Sequence, residues 1–196
     1  RAGRVAWAGS AEDLPERHAG LPRFDVGGRA VVPGFVDAHT HLVFAGDRSG
    51  EFCRRLRGEA YEEILASGGG IHATVAATRE ASFDDLAASA AERAWRLLRQ
   101  GTTTVEIKSG YGLDTATEVK ILEAARAVGE RVPLDVVTTF LGAHVVARGM
   151  DRQNYLRLVT GEMLAACAPL ARYCDVFCDR GAFSVDEARA VLRAGR

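Results

Sequence analysis

From residue 30 onward, apolar stretches of strand length alternate with amphipathic stretches of helix length, and this alternation constrains the fold more than any other feature. The pattern predicts strands over 30–39, 102–108, 134–141 and 174–178. Between and after them it predicts helices over 83–100, 114–128 and 154–171, with a last one from 184. The punctuation agrees: Ser82-x-x-Asp85 opens the first of these helices and Gly101 follows it, Asp114 and Gly129 bracket the second, and Ser184-x-x-Glu187 opens the last. Strands separated by helices of this length must pair in parallel, because only a long crossover returns the chain to the same end of a sheet. The fold class is therefore α/β. No Gly-x-Gly-x-x-Gly follows any strand, so a dinucleotide-binding doubly wound sheet lacks its motif. A TIM-like (β/α)8 barrel takes about 250 residues, and four βα units over 30–196 make up roughly its first half, truncated. Residues 1–29 read differently. They are turn-rich, with two brief apolar stretches, Val5-Ala-Trp7 and Phe24-Asp-Val26, expected as short strands of part of a small β-sandwich-like N-terminal domain.

Composition narrows the partners. With 25 Lys+Arg against 26 Asp+Glu the net charge is −1, which leaves no basic field to draw in a nucleic acid or an anionic membrane surface. No apolar run approaches the roughly 20 residues of a membrane span, and Arg1-Ala-Gly-Arg4 does not open a secretory signal. The 4 cysteines form neither a Cys-x-x-Cys pair nor a dense framework, so reduced thiols and a cytoplasmic location are expected. Cys174 and Cys178 read as small buried hydrophobes.

The chemistry-bearing residues fall at predicted strand ends. His39-Thr-His41 closes the first strand. Side chains i and i+2 share a face, so two imidazoles there can approach one metal ion from one side, and the C-terminal strand ends of a barrel surround its active site. Spacing alone leaves open two histidines on a loop. His144 ends the third strand and joins the same mouth, or else packs or caps there. Tyr111 sits between Gly110 and Gly112 after the second strand, where the backbone can turn tightly toward a ligand or form a solvated turn. Arg48, in the first βα loop, suits bidentate capture of a carboxylate or stands as surface charge. Gly68-Gly-Gly-Ile71 lacks the Gly-Lys-Ser/Thr of a phosphate loop and reads as a flexible loop.

Pro33-Gly-Phe-Val-Asp-Ala-His-Thr-His-Leu-Val-Phe44 resembles the first barrel strand of the amidohydrolase superfamily. The words Leu42-Val-Phe-Ala-Gly-Asp-Arg48, Gly68-Gly-Gly-Ile71, Gly101-Thr-Thr-Thr104, Glu106-Ile-Lys-Ser-Gly-Tyr-Gly112, Thr139-Phe-Leu-Gly-Ala-His144 and Gly181-Ala-Phe183 are similar, in order, to the branch that opens an imidazolone ring. The resemblance implies a metal-dependent cyclic amidohydrolase of histidine degradation that converts 4-imidazolone-5-propanoate to N-formimidoyl-L-glutamate. It implies one divalent or trivalent ion, zinc or iron, with His39 and His41 as ligands, while Arg48, Tyr111, His144 and Tyr61 contact a carboxylate-bearing small molecule. Lys108 stays outside the ligand set. The branch's third metal histidine and its general base are expected beyond Arg196, and a homodimer is expected at full length. Two alternatives stand beside this one: another amidohydrolase, such as a ring deaminase, and a non-catalytic half-barrel inactive by itself.

Overall fold

In the computed structural model, which describes residues 4–60, 63–64 and 67–196, the chain divides into two compact units, Arg1–Pro33 and Gly34–Arg196. The larger unit carries one sheet of four strands: β1 (Phe35–Thr40), β2 (Thr102–Lys108), β3 (Asp135–Ala143) and β4 (Tyr173–Val176). They pair in parallel in chain order, β1-β2-β3-β4. Successive parallel crossovers of one hand that always step the same way place all their helices on one face. This is the winding of a (β/α)8 barrel, and the strand number is half of one.

The helices whose bounds lie wholly among the described residues of that unit are α1 (Ser49–Leu56), α2 (Ile71–Glu80), α3 (Phe83–Arg99), α4 (Thr115–Arg131), α5 (Arg152–Leu158), α6 (Leu164–Cys167) and α7 (Val185–Ala194), with a π-helical turn, Val159–Met163, between α5 and α6. Their starts are held as the sequence suggests. Ser82, Asp114 and Ser184 each accept a backbone N–H in the first turn, and Ser184 with Glu187 forms a full capping box.

Alternation along β2 separates the two faces of the sheet. Val105 and Ile107 point outward, into a core made by Leu86, Ala90 and Ala94 of α3 and by Ile121, Ala125 and Val128 of α4. A second core sets Phe140 and Ala143 of β3 against Leu122, Tyr155, Met163 and Phe183. The concave face carries a cavity of about 350 Å³ where the charged Glu106, Lys108 and Asp175 sit among apolar Val36, Val137 and Tyr173. No described helix is long and apolar enough to cross a membrane.

Several boundaries differ from the sequence reading. Val5–Trp7 and Phe24–Val26 are not strands; the described part of that unit holds two 3-10 turns, Ala11–Asp13 and Glu16–His18. A strand exists only against a hydrogen-bonding neighbour, and neither stretch has one among the described residues. α4 runs through Gly129 to Arg131 because Val128 and Val132, both buried, keep its last turn against the core. α1 and α2 were not foreseen. The triglycine stretch is a turn whose Gly70, at φ 75°, leads into α2. Cys178 is exposed rather than buried.

Ile121 is fully buried where α4 meets the outer face of the sheet. Ile121→Ala is expected to cost about 2–5 kcal/mol, read as a lower denaturant midpoint at unchanged m-value.

Candidate active site at the strand ends

The register brings four chain segments to one level. Thr40 pairs with Ile107, Lys108 with Thr139, and Ala143 with Val176, so the residues that follow each strand emerge at the same end of the sheet. Thr40 turns toward the neighbouring strand, its hydroxyl donating to the Glu106 carbonyl at 2.6 Å. The histidines on either side of it lie 5.9 Å apart between ring centroids, with their planes at 67°.

His41 is the hub. It stacks on His144 at 4.8 Å with the rings 10° from parallel, and Tyr111 lies 4.8 Å from it and 5.5 Å from His144. Phe44 and Phe177 close the sides, Phe44 against Tyr111 at 6.2 Å and Phe177 edge-on to His144 at 5.9 Å. Arg93 holds Phe44 from behind. Its guanidinium lies 3.8 Å over the ring and donates to the Leu42 and Phe44 carbonyls at 3.0 and 3.1 Å.

The protonation states follow from burial. Burial, followed by the neighbouring His144, His39 and Lys108 charges, pushes the His41 pKa down to about 3. Burial lowers His144 as well, against a hydrogen bond to Gly110. Two stacked imidazoles are therefore neutral together and do not repel. His144 Nδ1 lies 2.9 Å from the Gly110 carbonyl; a carbonyl only accepts, so Nδ1 carries the proton and Nε2 is left as an acceptor. Burial raises the Tyr111 phenol, with the Arg48 charge pulling the other way, and its hydroxyl stays a neutral donor.

The residues singled out by sequence thus divide. His39, His41, Tyr111 and His144 come together. Arg48 stands just before α1, near enough for its charge to reach Tyr111, and its Nε donates to Glu51 at 2.9 Å. Glu51 in turn accepts the Gly70 N–H at 3.0 Å, tying this loop to the triglycine turn. Tyr61 lies outside the described residues. Lys108 is not in the ring cluster. Its ammonium is buried on the concave face, 2.8 Å from Glu106 and 2.9 Å from Asp175.

Sequence reasoning missed Phe177 and Glu118. Glu118 is fully buried in the first turn of α4, and its carboxylate accepts the backbone N–H groups of Gly110, Gly112 and Leu113, each at 2.8 Å. Burial raises its pKa, while the Ser109 hydroxyl and these N–H groups pull against that shift. The signal was there: an acid on the same helix face as Ile121, Leu122 and Ala125 is out of place unless it has donors to meet.

A metal fits the donor pair. His39 and His41 offer imidazole nitrogens from one strand end, and His41, held neutral by burial, has a buried Nδ1 without a hydrogen-bond partner. Among the described residues no group of three His, Cys, Asp or Glu could enclose an ion, so the pair supplies only part of a coordination shell.

Parallel βα units that end in a His-x-His pair, with aromatic and imidazole side chains at the neighbouring strand ends, are the arrangement of an amidohydrolase-type metal hydrolase. No protein-family model matches the chain. Among curated proteins it is 52% identical to the imidazolonepropionase of Myxococcus xanthus over 203 residues, covering 100% of this chain and 48% of that relative. The Streptomyces avermitilis and Acidiphilium cryptum imidazolonepropionases are 52% and 49% identical, covering 98% and 100% of this chain and 44% and 49% of their own lengths. In the portion it spans, the chain belongs to the imidazolonepropionase family. It spans about half the length of the curated relatives it matches.

Gly110 sits at φ 107°, and a β-carbon there would lie 2.9 Å from both His144 Nδ1 and the Leu141 carbonyl oxygen. Gly110→Ala is therefore expected to break the His144–Gly110 contact and to destabilise the fold by about 1–3 kcal/mol. A thermal melt reads the loss of stability, and the histidine ring resonances read the displaced imidazole.

Proposed function

We propose that, at the full length of its relatives, this protein hydrolyses the ring C–N bond of 4-imidazolone-5-propanoate and yields N-formimidoyl-L-glutamate in histidine degradation. The observation that carries the reading is the His39–His41 pair at one strand end, with His144 stacked on His41 and Tyr111 against both rings. The oxygen of water joins the ring carbonyl carbon, the C–N bond to that carbon breaks, and the freed nitrogen takes a proton as it becomes part of the formimidoyl group. A zinc or iron ion at His39 and His41 would supply Lewis acidity and a lowered pKa for water.

The protein's own side chains bind and orient. Arg48 suits the propanoate carboxylate, which keeps its charge throughout, so this contact positions the substrate and does not follow the reaction. Glu51 anchors one edge of the guanidinium and thereby fixes the direction of its fork. Tyr111 offers a hydroxyl donor at the same mouth, and His144 Nε2 offers an acceptor to a ring N–H. Phe44 and Phe177 present apolar walls on which a flat ring can lie. The small-molecule substrate, a cytoplasmic setting and a homodimer belong to the same proposal.

The test is steady-state turnover by the full-length protein. Wild type is expected to consume imidazolonepropanoate, and Arg48→Ala to raise KM roughly 10- to 100-fold with a smaller change in kcat, as for loss of one charge-assisted contact made equally in ground and transition states. Release of ammonia from an aminated ring, with imidazolonepropanoate untouched, would instead assign a deaminase.

A further inference from the structure

Against the β2 loop lies a buried polar centre outside the ring cluster. Glu118 is fully buried on the core-facing side of α4, between residues that pack on the sheet. Taking a carboxylate out of water costs several kcal/mol unless its lone pairs are met, and a leucine or methionine would fill the same position without that cost. Its lone pairs are met by one loop. Oε2 accepts from Gly110, Oε1 accepts from Gly112 and Leu113, and the Ser109 hydroxyl donates as well. Both flanks of Tyr111 are therefore tied to a single side chain.

The same centre reaches the third strand. Ser109 Oγ, while donating to Glu118, accepts the Leu141 N–H at 3.0 Å, and the Gly110 carbonyl accepts from His144. The approach is close enough to dictate the neighbouring residue. A β-carbon at Gly112 would lie 2.7 Å from the Glu118 backbone nitrogen and 2.9 Å from Oε1.

We propose that Glu118 is the positioning residue of this active site: through Ser109, Gly110, Gly112 and Leu113 it fixes the β2 loop so that Tyr111 and His144 meet His41. The catalytic consequence rests on the proposed role of Tyr111 and His144 as substrate contacts; the geometric one does not.

The experiment compares full-length wild type with Glu118→Gln, Ser109→Ala and Leu122→Ala. Glutamine keeps the shape of the side chain but turns an N–H₂ toward one of the backbone donors. Glu118→Gln is expected to speed exchange of the Gly110 and Gly112 amides at least 10-fold relative to those of α4 and to lower kcat by roughly 10- to 100-fold, the scale of a small misplacement of reacting groups. Ser109→Ala, which removes one donor and keeps the fold, is expected to do the same in smaller measure, about 2- to 5-fold. Leu122→Ala, equally buried on α4, is expected to lose stability while kcat is kept. Unchanged loop exchange in both Glu118→Gln and Ser109→Ala would overturn the proposal, as would an equal loss of kcat in Leu122→Ala. If wild type does not turn over imidazolonepropanoate, the functional reading fails, and the exchange data still decide the role of Glu118.

Discussion

Parallel pairing in chain order is the constraint from which the rest follows. Each crossover must carry the chain back along the outside of the sheet before the next strand begins, so four loops leave from one end. Side chains far apart in sequence become neighbours there without any special loop design. His41, Tyr111, His144 and Phe177 follow four different strands and form one cluster of rings.

Two polar centres flank that cluster. On the concave face Lys108 bridges Glu106 of its own strand and Asp175 of β4, which ties the second strand to the fourth beneath the rings. On the outer side Glu118 gathers the backbone of the β2 loop. Neither arrangement is an economical way to gain stability, since desolvation offsets most of the Coulombic attraction. Their effect is geometric: each leaves the polar groups around it one satisfactory arrangement. Tyr155 works in the same sense at the β3 end, its buried hydroxyl donating to the Gly142 carbonyl at 2.7 Å, two residues before His144.

Much of this was legible in the sequence. The β2 boundaries, the caps at Ser82, Asp114 and Ser184, and the sharing of one mouth by His39, His41 and His144 follow from period, punctuation and strand-end position, while Tyr111 joined them only through the family resemblance. What was not legible depends on partners distant in sequence. Glu118 reads as an ordinary acid in a helix's first turn until its donors, five to eight residues back, fold over it. Lys108 reads as a strand-end lysine until β4 brings Asp175 beside it. α1 is only eight residues long and its apolar pair, Phe52 and Leu56, is exposed rather than packed on the core, and Val5–Trp7 looked like a strand because composition cannot say whether a neighbour will pair with it.

The central claim is that His39 and His41 form part of a metal-hydrolase site, and metal content tests it most directly. The measurement is elemental analysis of the full-length protein purified without chelators, beside the His39→Ala/His41→Ala double variant, with circular dichroism to confirm that both are folded. The expected result is about one zinc or iron ion per chain in the wild type and far less than one in the folded variant. Equal metal in both, or none in the wild type after titration with either ion, would contradict it.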